Sequence, residues 1–145
     1  FRRNTGGSAV YVQPSSRSWS ANNLRLEVLD SSFIANTGAA TGAAINFACP
    51  GTLTIRSGEF AENAATTQGG AINFAGSLLD VATSEFEGNR APSGGALYCP
   101  GQASSTSPRT TSSSVQVANT TLKRNFATSY GGVVYAKSSK TSLLL

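Results

Sequence analysis

Chemistry in this chain would have to come from seven acidic and eleven basic side chains, two cysteines and four tyrosines, because its 145 residues include no histidine. Imidazole catalysis and His-ligated metal sites are thereby excluded from this stretch. A glycosidase needs two carboxylates roughly 5 to 9.5 Å apart across a bound sugar. Glu59 and Glu85 come closest to that requirement, since they hold equivalent positions in neighbouring repeats. Nothing else catalytic gathers beside them, and they read as a solvated turn edge. Glu27 and Asp80 fall in an outward strand column two repeats apart and read as solubilising. No catalytic residue, cofactor or metal site is assigned.

Contact chemistry is better represented. Tyr11, Asn46, Asn73, Tyr98 and Tyr135 recur at one position of a repeated block and form a candidate stripe for a partner protein or a surface glycan, since tyrosine rings stack and amides adapt. The cysteines recur as Cys49-Pro50-Gly51 and Cys99-Pro100-Gly101. Two repeats of a stacked fold would separate them by about 10 Å, beyond the usual limit for a disulfide, so each is expected as a small core or turn residue. Asn119-Thr120-Thr121 is the sole N-glycosylation sequon. The net charge of +4 is scattered, with Arg2 and Arg3 near one end and Lys123 and Arg124 near the other, which gives no nucleic-acid footprint.

The elements that position these groups are repeats. Phe33-Ile34-Ala35-Asn36, Phe60-Ala61-Glu62-Asn63 and Phe86-Glu87-Gly88-Asn89 share Phe-x-x-Asn, Phe1 to Asn4 matches it, and Leu122 to Asn125 matches with Leu for Phe. A second block follows each: Gly7 to Tyr11, Gly42 to Asn46, Gly69 to Asn73, Gly94 to Tyr98 and Gly131 to Tyr135. A third precedes it, as in Leu53-Thr54-Ile55 and Leu79-Asp80-Val81, where period-2 alternation marks a strand with one buried face. The central Phe residues are 27 and 26 residues apart, with no room for a helix. Polar excess at 13–23 and 102–114 reads as loop insertions.

Short strands in a repeat of this length predict an all-β parallel β-helix solenoid of about five coils, roughly 1–36, 37–63, 64–89, 90–125 and an incomplete 126–145. Phe33, Phe60, Phe86 and Leu122 should then form an inner ladder, and Asn36, Asn63, Asn89 and Asn125 a turn ladder with Asn itself in the left-handed region. The alanine column of the Gly block (Ala9, Ala44, Ala71, Ala96, with Val133) is expected to face outward beside the Tyr/Asn stripe. The chain opens on Phe1 rather than Met, which predicts a fragment of a longer array covered by further coils or other subunits. It shows no signal peptide and no apolar run near 18 residues, so membrane association is expected only through regions outside it.

The Gly69-Gly70-Ala71-Ile72 and Phe-x-x-Asn elements together resemble the polymorphic outer-membrane protein repeats of chlamydial surface proteins. The resemblance implies a right-handed parallel β-helix, extracellular or at the cell surface, often serving as an adhesin exported through a C-terminal barrel. Leu122 for Phe and Thr41-Gly42-Ala43 for a clean Gly pair depart from the pattern. The expected role is non-enzymatic: a stalk, appendage, wall component or adhesin. The alternative is a polysaccharide lyase or glycoside hydrolase of the pectate-lyase-like fold with its active site elsewhere.

Overall fold

A computed structural model describes residues 1–13, 24–101 and 113–136 and the backbone of Ser142–Leu144. Sixteen strands run through these residues without a helix. One sheet stacks β1 (Val10–Val12), β4 (Ile45–Phe47), β7 (Ile72–Phe74), β11 (Leu97–Cys99) and β15 (Val134–Ala136). A second stacks β2 (Arg25–Leu29), β5 (Thr52–Arg56), β8 (Leu78–Ala82), β12 (Ser114–Ala118) and β16 (Ser142–Leu144), and a third β3 (Ser32–Ile34), β6 (Glu59–Ala61), β9 (Glu85–Glu87) and β13 (Thr121–Lys123). Every pairing is parallel and joins residues one repeat apart, as in Leu53↔Leu79 and Phe60↔Phe86. A chain that pairs only with its own previous and next turn must circle an axis, and the fold is an all-β parallel solenoid.

A fourth side had no strand signal in the sequence. There β10 (Arg90–Ser93) pairs with β14 (Phe126–Tyr130), and single bridges Thr37↔Ala64 and Ala64↔Arg90 continue the ladder through earlier coils. Its inner face is a column of small residues, with Ala39, Ala65 and Ala91 buried against Ala43. Most of the expected insertions at 13–23 and 102–114 lies outside the described residues. Ser113 and Ser114 belong to the coil instead: the buried Ser113 hydroxyl donates to the Gly76 carbonyl, and Ser114 opens β12.

Leu53, Ile55, Leu79 and Val81 point inward and are fully buried, as their alternation requires. Phe33, Phe60 and Phe86 stack with centroids 5.0 and 4.5 Å apart and rings within 5° of parallel. Coil spacing imposes this face-to-face arrangement, so the gain comes mainly from burial, about 1.5 to 3 kcal/mol per ring. Phe47 and Phe74 form a second ladder at 5.5 Å.

Two expectations are overturned. The asparagines do not themselves occupy the left-handed region; the residue before each does, with φ of 54° at Ala35, 56° at Glu62, 63° at Gly88 and 54° at Arg124. That placement frees each Asn backbone N–H and amide to bond along the stack. Asn36, Asn63 and Asn89 are wholly buried, and each Oδ1 accepts both the N–H and the Nδ2 of the Asn in the preceding coil. The alanine column, for its part, faces inward. Ala44, Ala71 and Ala96 are fully buried in the core with Ile45, Ile72 and Leu97 beside them. Ala44 and Ile45 both donate their N–H to the Ala71 carbonyl, so strand parity begins only at the aliphatic residue and cannot be counted back through the bend.

Candidate functional site

The stripe residues share one register column, Tyr11↔Asn46↔Asn73↔Tyr98↔Tyr135. They do not make one continuous exposed surface. Asn73 is 8% and Tyr98 4% exposed, whereas Tyr11 is 56% exposed. Tyr98 stacks on Tyr135 at 5.4 Å, Tyr130 covers Tyr135 at 5.7 Å, and the Gln68 amide donates to the Tyr98 hydroxyl at 3.1 Å. Burial and the neighbouring Tyr135 push the Tyr98 phenol above its ordinary pKa. Tyr98 is therefore a packing residue, and the more accessible side chains are Tyr11 and Asn46 at one end and Tyr130 and Tyr135 at the other.

At the Tyr11 end the amides are wired in one direction. Asn73 Nδ2 donates to Asn46 Oδ1 at 2.8 Å, and Asn46 Nδ2 donates to Thr41 Oγ1 at 2.9 Å. The relay leaves Asn73 Oδ1 buried without a partner among the described residues. Tyr11 is fixed by its hydroxyl, which donates to Gln13 Oε1 at 2.7 Å. Between Tyr11, Ser8, Thr41, Asn46 and the small residues Gly6 and Ala40 lies a cleft of about 330 Å³. In the sequence pattern Thr41 figures only as a departure from the Gly pair. Its column, Thr41, Gln68, Ser93 and Tyr130, sits directly before each turn glycine and is polar throughout, which is the signal that could have found it.

The carboxylates are engaged elsewhere. Glu59 and Glu85 are register partners on the third sheet, as their spacing implied. Glu59 accepts from the Ser32 hydroxyl, and Lys123 Nζ lies 2.7 Å from Glu85 and 3.1 Å from Glu87, which raises the lysine pKa. Glu27 pairs with Arg25, and Asp80 with Arg56. The Arg25–Glu27 pair lies within β2, whereas the others tie coil to coil on the second and third sheets.

Cys49 and Cys99 are free and buried, but their settings differ. Cys99 ends β11, in the column that Phe47 and Phe74 fill below it, whereas Cys49 lies beyond β4 at the bend toward the second sheet. Burial raises both thiols, Cys99 to about 12. Asn119 is exposed and shares its left-handed turn with Asp30, Ser57 and Thr83. Among the described residues no group of three or more Cys, Asp or Glu is placed to hold a metal ion.

Residues 83–100 match the Chlamydia polymorphic membrane protein repeat. The matched segment runs from the Thr83 turn through β9, the Asn89 turn, β10 and the Gly94-Gly95 bend to the end of β11. Register places Ser57 to Phe74 and Asp30 to Phe47 on the same path one and two coils earlier. No curated protein and no solved structure matches the chain.

Proposed function

We propose that the chain is a non-enzymatic β-helix segment of a cell-surface protein, presenting its flank to a partner. The observation that carries this reading is the polymorphic membrane protein repeat at 83–100, set in a stack whose other coils follow the same path. Two features of the flank support it. Exposed Tyr11 lies on a sheet whose strands carry no charged residue, and exposed Tyr130 packs on Tyr135 at the other end of that sheet; aromatic side chains of this kind dominate contact energetics. The acids that an enzymatic reading needs are engaged as Ser32–Glu59 and Lys123–Glu85 pairs. Antibodies raised against the folded chain should label intact source cells as strongly as permeabilised ones; labelling that requires permeabilisation refutes the surface assignment. Tyr11→Ala combined with Tyr130→Ala should weaken binding of the full chain to its target surface. Unchanged binding of the double variant refutes the flank.

A further inference from the structure

We infer that the cleft beside Tyr11 is a binding site for a neutral sugar unit. The inference rests on the contact reading above and names the ligand class for one end of the flank. The amide relay from Asn73 through Asn46 ends on Thr41 Oγ1, which accepts from Asn46 and whose own hydrogen meets no acceptor among the described residues. Hydrogen bonds in such a chain polarise one another, so Thr41 presents a strengthened donor. The relay's orientation is maintained at the expense of a buried, unpartnered Asn73 Oδ1, and a buried polar atom left unsatisfied calls for a reason outside packing.

Next to that donor, the Ser8 hydroxyl donates to the Thr41 carbonyl at 3.1 Å and so turns its lone pairs outward as an acceptor. Tyr11, held by Gln13, supplies a fixed aromatic face. The floor of Gly6 and Ala40 carries almost no side chain, and the volume of about 330 Å³ lies at the lower end of small-ligand sites. No carboxylate, ammonium or guanidinium group lines the cleft, and the described charged residues of the strands sit on the other three sides. A ring with an apolar C–H face and flanking hydroxyl donors and acceptors, without charge, fits these features together. An acidic sugar would find no cation there, and a basic peptide no carboxylate.

The test is calorimetric titration of the full chain with soluble neutral oligosaccharides of glucose, mannose, galactose and N-acetylglucosamine, and with oligogalacturonate as the charged comparison. At least one neutral sugar should bind, with oligogalacturonate weaker. Tyr11→Ala should weaken binding about tenfold, Thr41→Val should weaken it, and Tyr11→Phe should retain it, because the ring does the stacking. Far-UV circular dichroism and an unchanged urea midpoint confirm that the variants are folded. Failure of every neutral sugar to bind, equal binding by Tyr11→Ala, or preference for oligogalacturonate overturns the inference. If Tyr11→Ala abolishes attachment to the target surface while no sugar binds, the contact reading stands and the sugar assignment alone falls.

Discussion

Replacing Asn63 by alanine tests the asparagine ladder at its most constrained point. The side chain takes part in four hydrogen bonds: Oδ1 accepts from Asn36 N at 3.1 Å and Asn36 Nδ2 at 2.8 Å, and Nδ2 donates to Phe33 O at 2.9 Å and Asn89 Oδ1 at 3.0 Å. Alanine strands two donors on Asn36, which is itself fully buried and out of reach of water. Each stranded donor costs about 1 to 3 kcal/mol, so the expected loss is about 2 to 6 kcal/mol, against a total of about 5 to 15 for an ordinary domain. Asn4→Ala is the internal comparison. Asn4 makes the same forward bonds to Asn36 but is exposed, and its loss should be about 0.5 to 1.5 kcal/mol.

Urea unfolding followed by far-UV circular dichroism measures both variants. Asn63→Asp adds a sign test. The new carboxylate keeps the acceptor for Asn36 but turns an oxygen toward Phe33 O and Asn89 Oδ1, so burial and lone-pair repulsion raise its folded pKa above the unfolded value of about 3.9. The folded state then holds the proton more tightly, and stability falls as pH rises from that unfolded value through the raised folded one. The Asp variant should be more destabilised at neutral pH than near pH 4. If Asn63→Ala and Asn4→Ala lose the same small amount, the ladder is incidental to stability and the reasoning fails.

Phe60→Ala removes the middle of the ring stack between Phe33 and Phe86 and should cost about 3 to 5 kcal/mol; a melting temperature unchanged from the parent would contradict the inner ladder. Gly70→Ala should destabilise sharply, because a Cβ there would come 2.1 Å from the Gly95 carbonyl and 2.5 Å from Arg90 N, whereas Ala43, the residue at the same place one coil earlier, should tolerate glycine at a cost of about 1 kcal/mol. Comparison of the two urea midpoints decides it. Both thiols should resist alkylation in the folded chain at pH 8 and react fully in denaturant, since Cys99 is held up to about 12 and Cys49 is raised by burial; rapid labelling of the native chain would disprove their burial.

The coil path was legible because its signals are one-dimensional. A Phe every repeat, an Asn three residues later and alternation in Leu53-Thr54-Ile55 each report a local geometry that stacking then copies. The inner and outer faces of the second and third sheets followed from the same parity. Parity failed at the bends. Ala44, Ala71 and Ala96 sit where two consecutive N–H groups share one carbonyl, so adjacent residues both face inward. The fourth side was invisible because Ala64, Ala91 and Pro92 are weak strand formers, held in line by the strands on either side. At the stripe, residue type was visible but exposure was not. Tyr98 and Tyr11 occupy the same column, yet Gln68 and Tyr135 close over one and, among the described residues, nothing comparable closes over the other. The Thr41 end of the relay depends on a side chain reaching back five residues to a bend, a contact that strand periodicity does not encode.

The one-way bonding of the asparagines bears on how such a molecule can change in length over evolutionary time. Within the column each interior Asn gives to the Asn of the coil after it and receives from the Asn of the coil before it, and Asn36, Asn63 and Asn89 do so with the same atoms at nearly the same distances. A gene duplication that inserts one whole coil therefore restores every ladder bond on both sides of the join. An insertion of a few residues within β6 or its turn would instead offset the column and strand donors in the interior. Selection should accordingly accept growth and shrinkage in steps of about one repeat and reject intermediate steps. Between coils, length variation should collect in the bends that the ladder does not pass through.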